Sequence, residues 1–532
     1  MKKYFLLSAL AIIVAISFCA TAQSWAEKNF LTEEEYFNLP EDRLDIAEAA
    51  LVIIKGYKPD LDVQKYLNRI DSIVVEIKGE LKGENDPQKV ITAINNYFYG
   101  KLKISYDSHL PFLSDILDRD KGNCVASSTL YLAVAQRLGL KVYGVHAPLH
   151  IFVKYDDGKT IMNIETTAQG KIKPDSTYID METPEEGQMH ISQVSLSKGV
   201  YLRNLSKKEV LADILGWRGT KYGDNEQYPL SRRDYQATFL LNPNDPLTHS
   251  KMSIVYSEIG DYDKAIAECD RASELDPELG LVYAARARLL LKKGDTQRAL
   301  PEINEALKRK PKMLEGYRTR ASIWLKLKEP GKAFDDYTKV LELDPKNMRT
   351  LRDRAKLSVD KKDYDMAIAD LTKAIDEDPQ EYFIYVERGM VWNKKKEPDK
   401  AIADFNRTLE LRPWEISANH YRGWAWIDKG EYDKAIEDFK AAKGKMPFDM
   451  PENCYGRGVA YFKKKDYDSA IREFDDAARN LKDAGLYFYR GQAFMAKNEL
   501  AKATADFEMA ISLDPEMKNE VEPYLKKARG GK

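Results

Sequence analysis

Cys124 is the sulfur best placed for chemistry. It follows Gly122-Asn123 and opens an apolar pattern over residues 125–138 that reads as a helix ended by Gly139. A helix start carries partial positive charge and unpaired N–H groups, and both favour a thiolate over a thiol. Two residues further along could work with it. Residues 141–146 alternate like a strand, residues 150–155 read as a second strand and 160–165 as a third, with Asp156-Asp157-Gly158 as the turn between the last two. Such a hairpin sets His150 and Glu165 close to opposite one another. The imidazole could take a proton from the thiol and return it, and the carboxylate could fix the tautomer and orientation of the ring. Cys124, His150 and Glu165 therefore have the makings of a thiol triad. His146 is the rival base. Pro148 forbids the helix that would make His146 and His150 a metal pair, and with so few Cys and His no metal site is expected. Nothing in the sequence calls for a cofactor.

The elements that must hold these residues begin upstream. Residues 45–55 and 62–81 have helical apolar spacing, and residues 87–98 read as another helix with Asp86 as its N-cap. Gly122-Asn123-Cys124, followed by Leu130-Tyr131-Leu132-Ala133 and Arg137-Leu138-Gly139-Leu140, resembles the nucleophile helix of the transglutaminase-like superfamily. That superfamily includes transglutaminases, peptide N-glycanases and cysteine peptidases. His150-Ile151-Phe152-Val153 looks like its histidine strand and Asn163-Ile164-Glu165-Thr166 like its acid strand. The resemblance covers residues 45–203. It implies a papain-like α+β fold and an amide-directed cysteine nucleophile, and the pairing with downstream repeats looks closest to the SirB1-like branch. Two positions depart from the common pattern: Glu165 where many members have Asp, and Phe152 where many have Trp. SirB1-like proteins often lack the cysteine, so the fold alone does not establish activity.

A different texture fills the C-terminal half. Alanines, each but the last followed by an apolar residue, recur at Ala265, Ala299, Ala333, Ala367, Ala401, Ala435, Ala470 and Ala503, a step of 34 residues with one of 35 and one of 33. Prolines keep the same beat at Pro277, Pro311, Pro345, Pro379, Pro413, Pro447 and Pro515. A third, small series runs Ser253, Ala287, Ala321, Ala355, Gly389, Gly423, Gly458 and Gly491. Each unit reads as two amphipathic helices that cannot bury an apolar face alone but can do so when stacked. The pattern resembles the tetratricopeptide repeat (TPR) family and predicts eight units over 246–517, an all-α superhelical solenoid. Residues 204–245 read as a connector with a degenerate unit, and 518–532 as a capping helix.

An Arg before each small residue after Ser253 (Arg286, Arg320, Arg354, Arg388, Arg422, Arg457, Arg490) has an acid 16 positions later, which predicts a ladder of structural ion pairs. The resemblance implies a concave side lined by the first helix of each unit. There Arg288, Arg318, Arg352 and Lys356 form one candidate patch, and Phe383, Met390, Trp424, Tyr455 and Phe488 a second. The expected occupant is an extended peptide with an acidic part and apolar anchors. Cys269 and Cys454 fall at repeat positions and are expected to be packing residues.

The start of the chain is a separate object. Lys2 and Lys3 precede an apolar run over residues 4–18, and Ala20-Thr21-Ala22 is a small-x-small cleavage site, so residues 1–22 read as a secretory signal peptide. Cys19 leaves a lipoprotein alternative. The expectation is an exported chain, periplasmic or secreted, with no stable membrane insertion after cleavage. Lys plus Arg (83) balances Asp plus Glu (85) in the 532 residues, which gives no bulk charge for nucleic acid. Two functional readings follow: a thiol peptidase, amidase or transglutaminase-like acyl transferase whose repeats bind a protein substrate or partner, or a non-catalytic envelope scaffold.

Overall fold

A computed structural model describes residues 30–183, 187–443 and 450–530. The expected signal peptide and Cys19, together with Pro447, lie outside the described residues. The chain divides into two compact units, residues 1–311 and 312–532.

In the first unit, helices α1 (Glu33–Asn38), α2 (Ile46–Lys55), α3 (Val63–Leu81) and α4 (Pro87–Asn95) come first. Asp45, Asp62 and Asp86 each accept backbone N–H groups at the starts of α2, α3 and α4. The fourth helix runs into a π-helical turn, Asn96–Lys101, where the sequence pattern predicted continuous helix to residue 98. Short strands β1 (Ser105–Tyr106) and β2 (Lys121–Gly122) pair in parallel around α5 (Leu113–Arg119), and α6 (Cys124–Arg137) follows at once.

The chain then forms a four-stranded sheet in sequence order: β3 (Val142–Ala147), β4 (His150–Asp156), β5 (Ile161–Glu165) and β6 (Lys171–Lys173), all antiparallel. The fourth strand was not evident from the sequence, since Lys171-Ile172-Lys173 is short and mostly exposed at the sheet edge. One core joins α2, α3 and α6 to β4 and β5, with Leu51, Ile70, Tyr131, Val153 and Ile164 nearly or fully buried. After α7 (Ser176–Ile179), the β7 (Asp180–Thr183) and β8 (Gly187–His190) pair, and α8 (Gln193–Ser197), the chain is helical.

Helices α9 (Lys207–Asp224) and α10 (Tyr228–Leu241) form a hairpin at the position of the degenerate unit. Val210, Leu211, Ile214 and Leu215 of α9 belong to the same core as α2 and α6. Two repeat units complete this part: α11 (Pro246–Glu258) with α12 (Tyr262–Leu275), and α13 (Gly280–Lys292) with α14 (Thr296–Arg309). Ser195 and Tyr201 donate hydroxyls to the buried Asp276 at 3.0 and 2.7 Å, which bonds the segment before α9 to the end of α12.

The second unit consists of six further helix pairs, from Leu314–Lys326 with Pro330–Leu343 to Ala484–Ala496 with Leu500–Leu513, closed by Lys518–Gly530. All seven predicted Arg–acid pairs form, from Arg286–Glu302 at 2.7 Å in the first unit to Arg490–Asp506 at 2.7 Å in the second. The small series also has a size partner 16 residues on. Gly389, Gly423, Gly458 and Gly491 face Phe405, Phe439, Phe474 and Phe507 so closely that a Cβ would stand 2.5–2.9 Å from the ring. Among the described residues no helix is long and apolar enough to cross a membrane.

Candidate active site

Three local features place the nucleophile. Asn123 accepts the N–H groups of Val125 and Ala126 at 2.9 and 3.1 Å, which starts α6 at Cys124. Gly122 must be small, because a Cβ there would lie 2.9 Å from Ala126 and 3.2 Å from Ile116. Ser128, one turn into the helix, donates to Ile151 O at 3.3 Å and meets the Thr166 hydroxyl at 3.1 Å, so it ties α6 to both the histidine strand and the residue after Glu165. Among the described residues the Cys124 backbone N–H makes no hydrogen bond, as befits the first turn of a helix.

The β4–β5 register sets Val153 opposite Ile164. Glu165 therefore falls opposite Phe152, and its reach to His150 is diagonal on one face of the sheet. His150 Nε2–H donates to Glu165 Oε2 at 2.9 Å. That leaves Nδ1 as the ring nitrogen for Cys124, which lines the same cavity as the imidazole. Burial disfavours the imidazolium, but the hydrogen bonds and charges of Cys124 and Glu165 outweigh it and raise the His150 pKa to about 10.

Glu165 is 3% exposed, yet burial loses to its donors and the carboxyl is lowered to about 2. Besides His150, Thr167 donates its N–H at 3.0 Å and its hydroxyl at 2.6 Å to Oε1, and Tyr178 donates its phenol to Oε2 at 3.2 Å. Tyr178 is held by Phe152, whose ring stacks on it at 4.0 Å and 4°. The Phe152 departure thus supports the acid from behind. Thr167 and Tyr178 were not singled out in the sequence: the first carries no special pattern, and the second comes from a separate short helix.

His146, the rival base, belongs to a second pair. Its Nε2 lies 2.9 Å from Asp213 on α9. Burial works against charge on this ring as well, but Asp213 outweighs it and raises His146 to about 9. Both histidines open on one cavity of about 340 Å³ that also exposes Cys124. Its far wall is helical: Asp213, Gly216 and Trp217 from α9, and Leu247, Lys251 and Ile254 from α11, the first helix of the first repeat.

The family model for the transglutaminase-like superfamily matches residues 64–216, and tetratricopeptide repeat models match 250–279, 284–347, 352–414 and 455–517. The chain carries a transglutaminase-like domain followed by TPR repeats. Among curated relatives, a UPF0162 protein of Xylella fastidiosa strain Temecula1 is 24% identical over 258 residues, 47% of this chain and 90% of the relative. A UPF0162 protein of Vibrio cholerae is 21% identical over 249 residues, 44% of this chain and 90% of the relative. Among solved structures, a tetratricopeptide repeat protein from Parabacteroides merdae is 22% identical, covers 47% of this chain and 98% of its own, and has a TM-score of 0.40. YrrB, described as a TPR protein with an unusual peptide-binding site, is 17% identical, covers 35% of this chain and 96% of its own, and has a TM-score of 0.31.

The candidate groove residues of the TPR repeats divide. Arg288 and Lys356 are exposed. Arg318 is instead 9% exposed and paired with Glu315 and, at 3.6 Å, Asp353. Arg352 is held by Glu387 at 2.6 Å and lies 4.1 Å over the Phe383 ring. The apolar set is split as well. Met390 and Trp424 line a cavity of about 610 Å³ with Tyr421 and Tyr489. Tyr455 is partly buried against Trp424, and Phe488 is 5% exposed in the last core. Cys269 is fully buried, with its pKa raised by burial to about 11, and Cys454 is 6% exposed.

Proposed function

We propose that the transglutaminase-like domain is a cysteine-dependent amide hydrolase and that the TPR repeats bind its polypeptide substrate or a partner protein. The observation that carries this reading is the imidazole of His150, hydrogen-bonded to a saturated Glu165 and sharing the wall of one cavity with Cys124, whose side chain acts on the ring's charge. Cys124 Sγ adds to an amide carbonyl carbon, and the oxyanion meets the free Cys124 N–H at the start of α6. His150 gives its proton to the amide nitrogen, the C–N bond breaks, the amine leaves and a thioester remains. His150 then takes a proton from water, the hydroxide adds to the thioester, and the acid departs as the proton returns to sulfur. Glu165 keeps the ring in place throughout. An amine in place of water would give acyl transfer; export into abundant water favours hydrolysis.

Met390, Trp424, Tyr421 and Tyr489 around one cavity support an apolar anchor point for a bound peptide in the repeats. Incubating the protein with a peptide library and identifying products by mass spectrometry tests the proposal, with Cys124→Ala and Cys269→Ala as controls. Cleavage lost in Cys124→Ala and kept in Cys269→Ala is expected. No cleavage by the wild type, or cleavage that survives Cys124→Ala, would leave the scaffold reading in its place.

A further inference from the structure

The cavity at Cys124 holds a cation that the triad does not use. Lys251 projects from α11 among largely apolar neighbours, Leu149, Ile151, Val200, Leu247 and Ile254. Its Nζ lies 4.8 Å over the Trp217 ring, and among the described residues it forms no hydrogen bond or ion pair. The nearby acids are already engaged. Asp213 is bound to His146 at 2.9 Å. Asp245 caps α11, accepting the N–H groups of Leu247 and Thr248 at 3.1 and 3.0 Å and the Thr248 hydroxyl. Asp224 acts on Lys251 only through its charge, from the exposed end of α9. On the basic side, Arg203 is committed to Glu209. The His146–Asp213 pair is neutral as a pair and the Asp245 charge is met by a helix N-terminus, so the ammonium is the uncompensated charge. It is close enough to Cys124 for the two groups to interact electrostatically.

A cation left without a counter-ion in an apolar cavity beside a nucleophile is a receptor for an anion. We infer that Lys251 forms a specificity subsite for a substrate carboxylate that enters the same cavity as the scissile carbonyl. This rests on the amide-hydrolase reading and narrows its substrate to chains ending in, or carrying, a carboxylate that shares the cavity with the cleaved bond. Burial pulls the lysine's pKa down, and a bound carboxylate would oppose that pull. The group comes from the first repeat, so the repeats contribute a residue to the active site itself.

Three thiol probes read the subsite without requiring turnover. N-iodoacetyl-glycine carries a terminal carboxylate, N-iodoacetyl-aspartic acid α-amide a side-chain carboxylate, and N-iodoacetyl-glycinamide none. Rates at Cys124 are followed by peptide mass, since Cys269 and Cys454 are buried. At least one anionic probe should outpace the neutral one by about tenfold or more in wild type, keep most of that lead in Lys251→Arg, and lose it in Lys251→Met. The faster anionic probe identifies the source of the carboxylate. An unchanged denaturation midpoint for Lys251→Met verifies that the fold is intact, and the anionic-to-neutral ratio cancels any change in the reactivity of the sulfur itself. No anionic preference in wild type, or a preference that persists in Lys251→Met, overturns the subsite. A slow neutral probe in wild type would count against the triad instead, and the anionic-to-neutral ratio would still report on Lys251.

Discussion

Arg218 Nε stands 2.6 Å from Asp234 Oδ2, in a pair of which both side chains are 1% exposed. The two residues are 16 apart and Arg218 lies 68 residues before Arg286, two periods of the repeat, so this is a rung of the same ion-pair ladder. Unlike the other rungs, it also reaches into the transglutaminase-like domain: the guanidinium bonds both Glu33 oxygens and donates to Ile53 O at 2.6 Å. The degenerate unit has thus turned a repeat contact into a clamp.

Breaking the clamp should cost stability. Arg218→Ala leaves the buried Asp234 carboxylate with Arg233 as its remaining cation, bonded at 2.9 Å to Oδ1, and strips Oδ2 and Glu33 of their guanidinium bonds; it is expected to destabilise the protein by about 1–3 kcal/mol, read as a lower denaturation midpoint. Arg218→Lys should recover little, since one ammonium cannot bond Asp234, Glu33 and Ile53 together.

The domain and the first repeats should fold as one body. A fragment of residues 30–311 is expected to melt cooperatively. A fragment of residues 30–203 lacks Leu211, Ile214 and Leu215 of the shared core and the α11 wall of the cavity, and it should show no cooperative transition by calorimetry.

Size matching between Gly and Phe in the second unit gives a signed pair of substitutions. Gly423→Ala places a Cβ 2.9 Å from the Phe439 ring and should cost about 1–3 kcal/mol. Gly331→Ala meets nothing within 4 Å and should be neutral or stabilising by up to about 1 kcal/mol.

Periodicity made the repeats legible. A 34-residue beat of small and proline positions specifies helix pairs without any long-range knowledge, and the Arg–acid spacing carried the ladder with it. The triad was legible because a helix start and a tight hairpin are local signals. Lys251 was not: it occupies an ordinary repeat position, and only the docking of α11 against α9 brings it to Cys124. Asp213 was missed for the same reason. The groove residues Arg318 and Phe488 show the converse, where spacing placed a residue on a helix but neighbours decided that it is buried.

The His150–Glu165 pair predicts a pH signature. Glu165 is lowered from 4.5 to about 2, so its contribution to stability is present above pH 4.5 and is lost as pH falls through about 2. His150 is raised from 6.5 to about 10, so its contribution is complete below pH 6.5 and is lost as pH rises through about 10. The stability difference between wild type and Glu165→Gln should therefore be largest and level from pH 4.5 to 6.5 and shrink on both sides, as denaturant titrations would show. A difference independent of pH contradicts the pair.

The most direct test is the rate of Cys124 alkylation by iodoacetamide near pH 6, compared with the same thiol in denatured protein. A sulfur activated by His150 should react about tenfold or more faster in the folded protein, and His150→Ala should abolish the advantage. Equal rates in folded and denatured protein, or an advantage that survives His150→Ala, would contradict the account.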